Sequence, residues 1–461
     1  MSSTNDDRAS LSRRDLLKSA AFAGAALGAA GAITPALAES VTAGAHPDLA
    51  PVAPRGAKTM KGVPFERHET VRIAIVGTGL RGRSVLHEFL GCPNVKITAL
   101  CDNVPDKAQK AAKMVTDAGQ PAPALYTDGD HAFEKLVERD DIDYIHTATP
   151  WEWHVPVMLA ALKGGKHVSS ECPFGMTLKD LWALVDASEK SRRHCLQLEN
   201  CNYGYNEMLV NQMVHAGVFG EPLHGAAAYL HDLRDILFED RDEGLWRRRW
   251  HTTNNANLYP THGLGPVSWY LDIHKGDKFE YMVSMSTEER GLTIHREETV
   301  KDKANPKWQE KYITGDLNSS LLKTAKGRTI LLQHDVSNPR PYSRLNAIQG
   351  TKGIFEDYPA RIYIDGQAGG ERWGTIDQYK AKFEHPLWTQ LGQQARNGGH
   401  GGMDFVMAWR MVQCLHEGLV PDIDVYDSAA WSAPFPLSEI SVSKGSMPVK
   451  FPDFTRGNWQ K

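Results

Sequence analysis

Val71-Arg72-Ile73-Ala74-Ile75-Val76-Gly77-Thr78-Gly79-Leu80-Arg81-Gly82 is the stretch that settles the fold class. Its first six residues, apolar apart from Arg72, read as a strand buried on both faces. Three glycines, spaced Gly77-x-Gly79-x-x-Gly82, then open a helix. The first glycine admits a tight turn, the second lets a pyrophosphate approach the backbone, and the third lets helix and strand pack closely. The free amides of the first helical turn suit a negative ligand. A second strand, Val95–Cys101, ends at Asp102, 20 residues beyond Gly82. A carboxylate there accepts hydrogen bonds from the adenosine ribose and repels a 2′-phosphate, so the expected cofactor is NAD rather than NADP.

Outward from this motif, strands and helices alternate. The texture predicts helices at Arg83–Leu90, Asp106–Ala118 and Leu178–Arg193, with strands at Tyr144–Ala148 and Lys166–Ser169. Such alternation means an α/β fold with a doubly wound parallel sheet, a Rossmann domain. Ligands in these sheets sit at the carboxyl ends of strands. That singles out Thr149-Pro150-Trp151-Glu152-Trp153-His154, Glu171-Cys172-Pro173 and Glu199-Asn200. After about Leu196 the strands lengthen (His224–Leu230, Tyr281–Thr287, Arg328–His334) and the loops fill with Trp, Asn, His and Pro. This predicts a second, α+β domain on a largely antiparallel sheet. Met403–Glu417 reads as a late helix packing back between the domains. The expected organisation is a signal peptide over 1–38, a linker or arm over 39–69, the dinucleotide-binding domain over 70–195 and a substrate-binding domain over 196–461.

The signal reading rests on Ser12-Arg13-Arg14-Asp15-Leu16-Leu17-Lys18, a twin-arginine pattern, followed by an Ala/Gly-rich stretch from Ser19 to Ile33. Ala36-Leu37-Ala38 fits a small-residue cleavage site. The stretch is short and weakly apolar for a spanning helix. No cysteine stands near the cleavage site to accept a lipid. The expected partner is therefore the twin-arginine translocase, and the expected location periplasmic or secreted. NAD is a cytoplasmic solute, so an exported enzyme must fold around it first and return it to its starting oxidation state at each turnover. A net charge of −4 argues against a nucleic-acid partner. The six cysteines form no Cys-x-x-Cys pair and read as buried thiols. Neither a Gly-x-Ser-x-Gly elbow nor a His-Glu-x-x-His motif occurs, and no metal site is expected.

The layout resembles the sugar oxidoreductases related to glucose–fructose oxidoreductase and inositol dehydrogenase. Those proteins carry Glu-Lys-Pro after the fifth strand, whose Lys assists catalysis; here the sequence is Glu171-Cys172-Pro173. A narrower resemblance is carried by Trp151-Glu152-Trp153-His154, Glu199-Asn200-Cys201-Asn202-Tyr203-Gly204 and Tyr229-Leu230-His231-Asp232-Leu233-Arg234. It continues through Asn257-Leu258-Tyr259-Pro260-Thr261-His262-Gly263, Pro339-Arg340-Pro341-Tyr342-Ser343-Arg344 and His400-Gly401-Gly402-Met403-Asp404-Phe405. These segments are similar to glycoside hydrolase family 109, NAD-dependent exported α-N-acetylgalactosaminidases. The resemblance implies that Leu80, Arg81, Asp102, Trp151, Glu152, Trp153, His154, Glu171, Cys172 and Asn200 line NAD, with the Gly77, Gly79 and Gly82 turn. It implies that Tyr229, Arg247, Tyr259, Pro260, Thr261, His262 and Tyr342 line the sugar.

The chemistry so implied is redox-neutral, an exception to the two-carboxylate glycosidases. Oxidation at carbon 3 of the sugar acidifies the proton on carbon 2; elimination expels the group on carbon 1; water adds; reduction restores the sugar with retention. The scheme requires bases at the carbon-3 hydroxyl and carbon 2 and an acid at the leaving oxygen. His262 is the expected proton carrier, since imidazole titrates near neutrality, and Tyr342 the second. Tyr229 and Tyr259 are expected to position the sugar. Arg247 can donate several hydrogen bonds to hydroxyls or an acetamido carbonyl. The expected partner is a small-molecule glycoside or glycan terminus, with a homo-oligomer as a further possibility. Two alternatives stay open: a sugar oxidoreductase with tightly held NAD(P), and a non-catalytic sugar-binding protein with structural NAD.

Overall fold

A computed structural model describes residues 58–367 and 370–460. The twin-arginine segment, the cleavage site and the arm up to residue 57 lie outside the described residues. Six parallel strands form the first sheet: β1 Val71–Val76, β2 Val95–Cys101, β3 Ala124–Tyr126, β4 Tyr144–Thr147, β5 His167–Ser170 and β6 Cys195–Gln197. Their order is β3-β2-β1-β4-β5-β6, so the winding reverses between β1 and β4. The cleft at their carboxyl ends opens there, as such sheets dictate. Arg72, the one charge in β1, is what the strand's register needs. Its backbone N and Nε both donate to Asp143 Oδ2 at 2.9 Å, pinning β1 beside the start of β4.

The helix after the glycine turn, α1 (Leu80–Leu90), begins directly at Gly79, earlier than its apolar pattern shows. Next come α2 (Pro105–Asp117), α3 (Trp151–Lys163) and α4 (Leu178–Ser191). Trp151–His154 is thus the first turn of a helix, not a loop. Thr177 caps α4 by accepting from Asp180 N at 3.1 Å.

The second sheet has eight strands: β7 Pro222–Leu230, β8 Phe279–Ser286, β9 Asn318–Thr324, β10 Thr329–Asp335, β11 Ala347–Gly350, β12 Gly353–Glu356, β13 Arg361–Ile364 and β14 Val449–Lys450. Their order is β13-β12-β11-β7-β10-β9-β8-β14. Only β7 and β10 run parallel; the other neighbours are antiparallel. Helix α5 (Thr261–Tyr270) lies on this sheet over β7, and small residues let it come close. A Cβ on Gly225 would lie 2.4 Å from Val267 Cγ1, and one on Gly263 would lie 2.2 Å from Ala228 N. Gly265 would likewise strike Asn202 Oδ1 at 2.2 Å. Glycine inside a helix costs up to ~1 kcal/mol; here it allows α5 to pack against both β7 and the turn after β6.

The chain's last third returns to the parallel sheet. Helix α6 (Met403–Glu417) packs on α1, and α7 (Val425–Ser432) runs along β6. Ser428 Oγ accepts from Gln197 N at 2.9 Å and Ser432 Oγ from Phe174 N at 3.0 Å, so the edge of the sheet is covered. The described part of the arm docks there too. Phe65 N donates to Leu419 O at 2.9 Å and Met60 N to Tyr426 Oη at 2.9 Å. All six cysteines are buried and free. Among the described residues no helix is long and apolar enough to cross a membrane.

Candidate active site

A cleft of about 550 Å³ runs from the glycine turn to the aromatic end of β7. The turn fits a dinucleotide atom by atom. Gly77 has φ +84°, and a Cβ on it would lie 2.7 Å from Thr149 N. A Cβ on Gly82 would lie 1.9 Å from Gly77 O, so Gly82 holds helix against strand and does not itself line the cleft. A Cβ on Gly79 meets no protein atom within 4 Å; that residue faces the cleft. No side chain caps α1, which leaves its first amides for an anion. Asp102 is fixed for its role: Oδ2 accepts from Thr78 N at 2.7 Å, and Oδ1 from Val104 N at 2.9 Å.

Beyond the turn, Leu80, Trp151, Trp153, His154, Cys172 and Asn200 line the same cleft. His154 braces it, with its ring nitrogens 2.8 Å from Pro173 O and 2.9 Å from Thr149 O. Arg81 is held by two carboxylates: Nε by Glu171 Oε1 at 2.9 Å and Nη1 by Asp404 Oδ2 at 2.5 Å. Burial raises the Asp404 carboxyl, but the hydrogen bond from His400 and the Arg81 charge outweigh it and hold it far below the usual range. Glu152 does not line the cleft; it sits at the rim, paired with Arg249 at 3.0 Å.

At the far end, His262 meets Glu199. Its Nδ1 lies 2.6 Å from Glu199 Oε1. This contact follows from the glycines of α5, since a Cβ on Gly265 would also crowd Glu199 Cγ at 3.1 Å. Glu199 is wholly buried and accepts from Cys172 Sγ at 3.2 Å, Gln197 Nε2 at 3.0 Å and Cys201 N at 3.2 Å. Burial raises its pKa, but the His262 charge and hydrogen bonds prevail and hold it down to about 2. The carboxylate is therefore ionised at neutral pH, and Nε2 is the His262 nitrogen left without a protein partner. Cys172, standing where the related oxidoreductases have an ammonium, is pushed well above its ordinary pKa by burial and Glu199. It remains a thiol. Cys172, Glu199 and His262 group three metal-capable atoms within 4.8 Å, yet each is already engaged in these hydrogen bonds.

Arg247 stands in an aromatic box, 5.1 Å from the Tyr259 ring, 5.2 Å from Trp151 and 5.9 Å from Tyr229, with Nη1 2.6 Å from Glu243. Tyr229, Tyr259 and His262 complete the lining. Pro260 and Thr261 do not line it: they are buried at the entry to α5. Tyr342 also stands back, in a second row of aromatics 4.9 Å from His231 and 6.2 Å from Tyr229, its hydroxyl accepting from Arg344 Nη1 at 3.0 Å.

Sequence reasoning left Glu199, His400 and Asp404 without roles. A carboxylate directly after the last parallel strand was a usable signal for Glu199. Nothing local marks Asp404, whose partner Arg81 is 323 residues away.

Comparisons with known proteins show the family and the fold. Residues 71–198 match the family described as oxidoreductase family, NAD-binding Rossmann fold, and residues 203–461 match glycosyl hydrolase 109, C-terminal domain. A glycosyl hydrolase family 109 protein of Saccharopolyspora erythraea is 53% identical over 450 residues, covering 97% of this chain and 95% of that one. One from Solibacter usitatus is 53% identical over 452 residues, covering 97% and 98%. The chain belongs to glycoside hydrolase family 109. Its fold is shared more widely. A levoglucosan dehydrogenase solved with NADH and levoglucosan aligns with TM-score 0.62 at 16% identity, over 83% of this chain and all of that one. An apo scyllo-inositol dehydrogenase from Lactobacillus casei aligns with TM-score 0.58 at 15% identity, over 84% and 99%. This family 109 chain thus carries an NAD-binding Rossmann domain, with NAD as its cofactor.

Proposed function

We propose that this family 109 protein hydrolyses α-N-acetylgalactosaminides by the redox-neutral route, exported by the twin-arginine translocase and working outside the cytosol with NAD resident. The observation that carries the reading is the Glu199–His262 pair, which opens on the cleft that begins at the glycine turn. Bound NAD supplies a reversible hydride acceptor for one sugar carbon. The protein's own residues handle protons. His262 Nε2 takes the proton, while the ionised Glu199 orients the ring and stabilises the imidazolium. A buried thiol at Cys172 removes the ammonium that an ordinary dehydrogenase of this fold would use, so proton transfer falls to the imidazole. Tyr229 and Tyr259 give the sugar an apolar face and hydroxyls. Arg247, held in place by Glu243 and three rings, directs its remaining donors at the sugar's oxygens. Tyr342, in the second row with Arg344 donating to its oxygen, backs the Tyr229 ring of the sugar wall.

The sugar oxidoreductase reading is separated by stoichiometry. Purified holoenzyme is given an aryl α-N-acetylgalactosaminide and, separately, free sugars. Aryl release with no net NADH is expected. Stoichiometric NADH from free sugar with no bond cleavage would overturn the proposal. No turnover of any glycoside would favour a sugar-binding protein with structural NAD.

A further inference from the structure

The guanidinium groups beside the glycine turn are already spent: Arg83 Nη1 donates to Thr78 O at 2.7 Å. Arg81 faces two carboxylates, Glu171 and Asp404, so the trio carries one positive charge against two negative ones. A pyrophosphate brings further negative charge to this end of the cleft. Of the other cations on the cleft wall, Lys107 belongs to α2 just beyond Asp102, at the adenosine end, and Arg247 stands at the sugar end. Another hydrogen-bond donor is built in. His400 lines the cleft with its imidazole largely exposed, and its Nδ1 lies 2.9 Å from Asp404 Oδ2, the oxygen that also accepts from Arg81.

The loop that carries His400 is shaped to hold it there. His400, Gly401 and Gly402 take φ of +51°, +71° and +100° in succession, a conformation that disfavours a side chain at His400. Gly399 N donates to Glu88 Oε1 at 2.9 Å, fastening the loop to α1. A Cβ on Gly399 would lie 2.5 Å from Asp404 Oδ2, and one on Gly402 would lie 2.6 Å from Ala395 O. Asp404 itself is buried and also accepts from Asn200 Nδ2 at 2.7 Å. So a buried carboxylate on a helix from the second half of the chain orients an exposed imidazole at the mouth of the dinucleotide turn.

We propose that His400 is a cofactor-binding residue: in the NAD complex its imidazole bridges two anions, donating from Nδ1 to the Asp404 carboxylate and from Nε2 to the pyrophosphate, and so slows the cofactor's release. The inference rests on NAD being the resident cofactor. It also gives a resident cofactor a physical means of staying, because the donor comes from the sugar-binding half of the chain.

The test uses full-length holoenzyme. NAD is quantified by mass spectrometry after exhaustive dialysis, and the dissociation constant is measured by titrating stripped protein with NAD. Loss of one charge-assisted hydrogen bond is expected to weaken NAD about tenfold in His400→Ala and to empty the protein faster on dialysis. His400→Arg, which again offers N–H donors to both Asp404 and the pyrophosphate, is expected to recover most of the affinity. Far-ultraviolet circular dichroism of the stripped variants is expected to match wild type, which separates a loss of NAD affinity from a failure to fold. Equal NAD affinity and retention in His400→Ala and wild type would overturn the proposal. Failure of His400→Arg to recover affinity, with the fold intact, would overturn the donor argument. A wild-type chain that binds no NAD would overturn the cofactor reading and this one together.

Discussion

Replacing Glu199 by Gln changes one oxygen to an NH₂ in a site with no room to move. Wild-type Glu199 accepts four hydrogen bonds, from His262 Nδ1 at 2.6 Å, Cys172 Sγ at 3.2 Å, Gln197 Nε2 at 3.0 Å and Cys201 N at 3.2 Å. An amide can accept on one side only. If its NH₂ faces His262, the ring must present a lone pair at Nδ1 and carry its proton on Nε2, the nitrogen that has to act as base. If its oxygen faces His262, the tautomer survives but the charge that steadies the imidazolium is gone, and the NH₂ opposes Gln197. A hydrogen bond to a charged group contributes ~1.5–3 kcal/mol. At about 1.4 kcal/mol per tenfold in rate, kcat should fall by roughly ten- to hundredfold. Glu199 is at the sugar end, so NAD affinity should stay within about twofold. The assay is aryl glycoside turnover across pH, with far-ultraviolet circular dichroism to confirm the fold. A folded Glu199→Gln variant with wild-type kcat would refute the role given to the Glu199–His262 pair.

Arg247→Lys should raise KM for the glycoside by about tenfold, because an ammonium cannot both satisfy Glu243 and present a fork to the sugar; an unchanged KM would place Arg247 outside the sugar site. Burial holds His194 down to about 4 and His251 to about 3. Both are neutral when folded and bind protons more tightly when unfolded, so stability is full above about pH 6.5 and falls as pH drops toward those values. At pH 5 each costs about 2 kcal/mol relative to neutral pH; the thermal midpoint should fall between pH 7 and pH 5, and His194→Gln should reduce the fall. Prolonged dialysis against EDTA should leave aryl glycoside turnover intact; loss restored by a divalent cation would make Cys172, Glu199 and His262 a metal site instead.

Much of the fold was legible because its determinants are local. The period of Val71–Val76, the three glycines and Asp102 lie within 32 residues and specify the turn. Met403–Glu417 matched its helix end to end, since Gly402 and Gly418, both with positive φ, bound it. Boundaries slipped where a strand joins a motif: α1 starts at Leu80 because the glycine turn itself is its first cap. The site was legible only by resemblance. Arg247, Tyr259 and His262 do share one cleft, but no spacing reveals that two glycines of α5 bring His262 onto Glu199. His400 and Asp404 stood in a resembling segment without a role, because Arg81, the partner of Asp404, is at the other end of the chain. Tyr342, Pro260 and Thr261 lie outside the cleft wall, and a sequence motif does not say which of its side chains face inward.

Deuterium at carbon 2 of the sugar is the most direct measure of the chemistry. Purified holoenzyme hydrolyses an aryl α-N-acetylgalactosaminide to completion in heavy water, and the released sugar is examined by proton magnetic resonance and mass spectrometry. The account predicts solvent deuterium on carbon 2 of the product, retained stereochemistry and no net NADH. Complete hydrolysis with the original proton still on carbon 2 would contradict it.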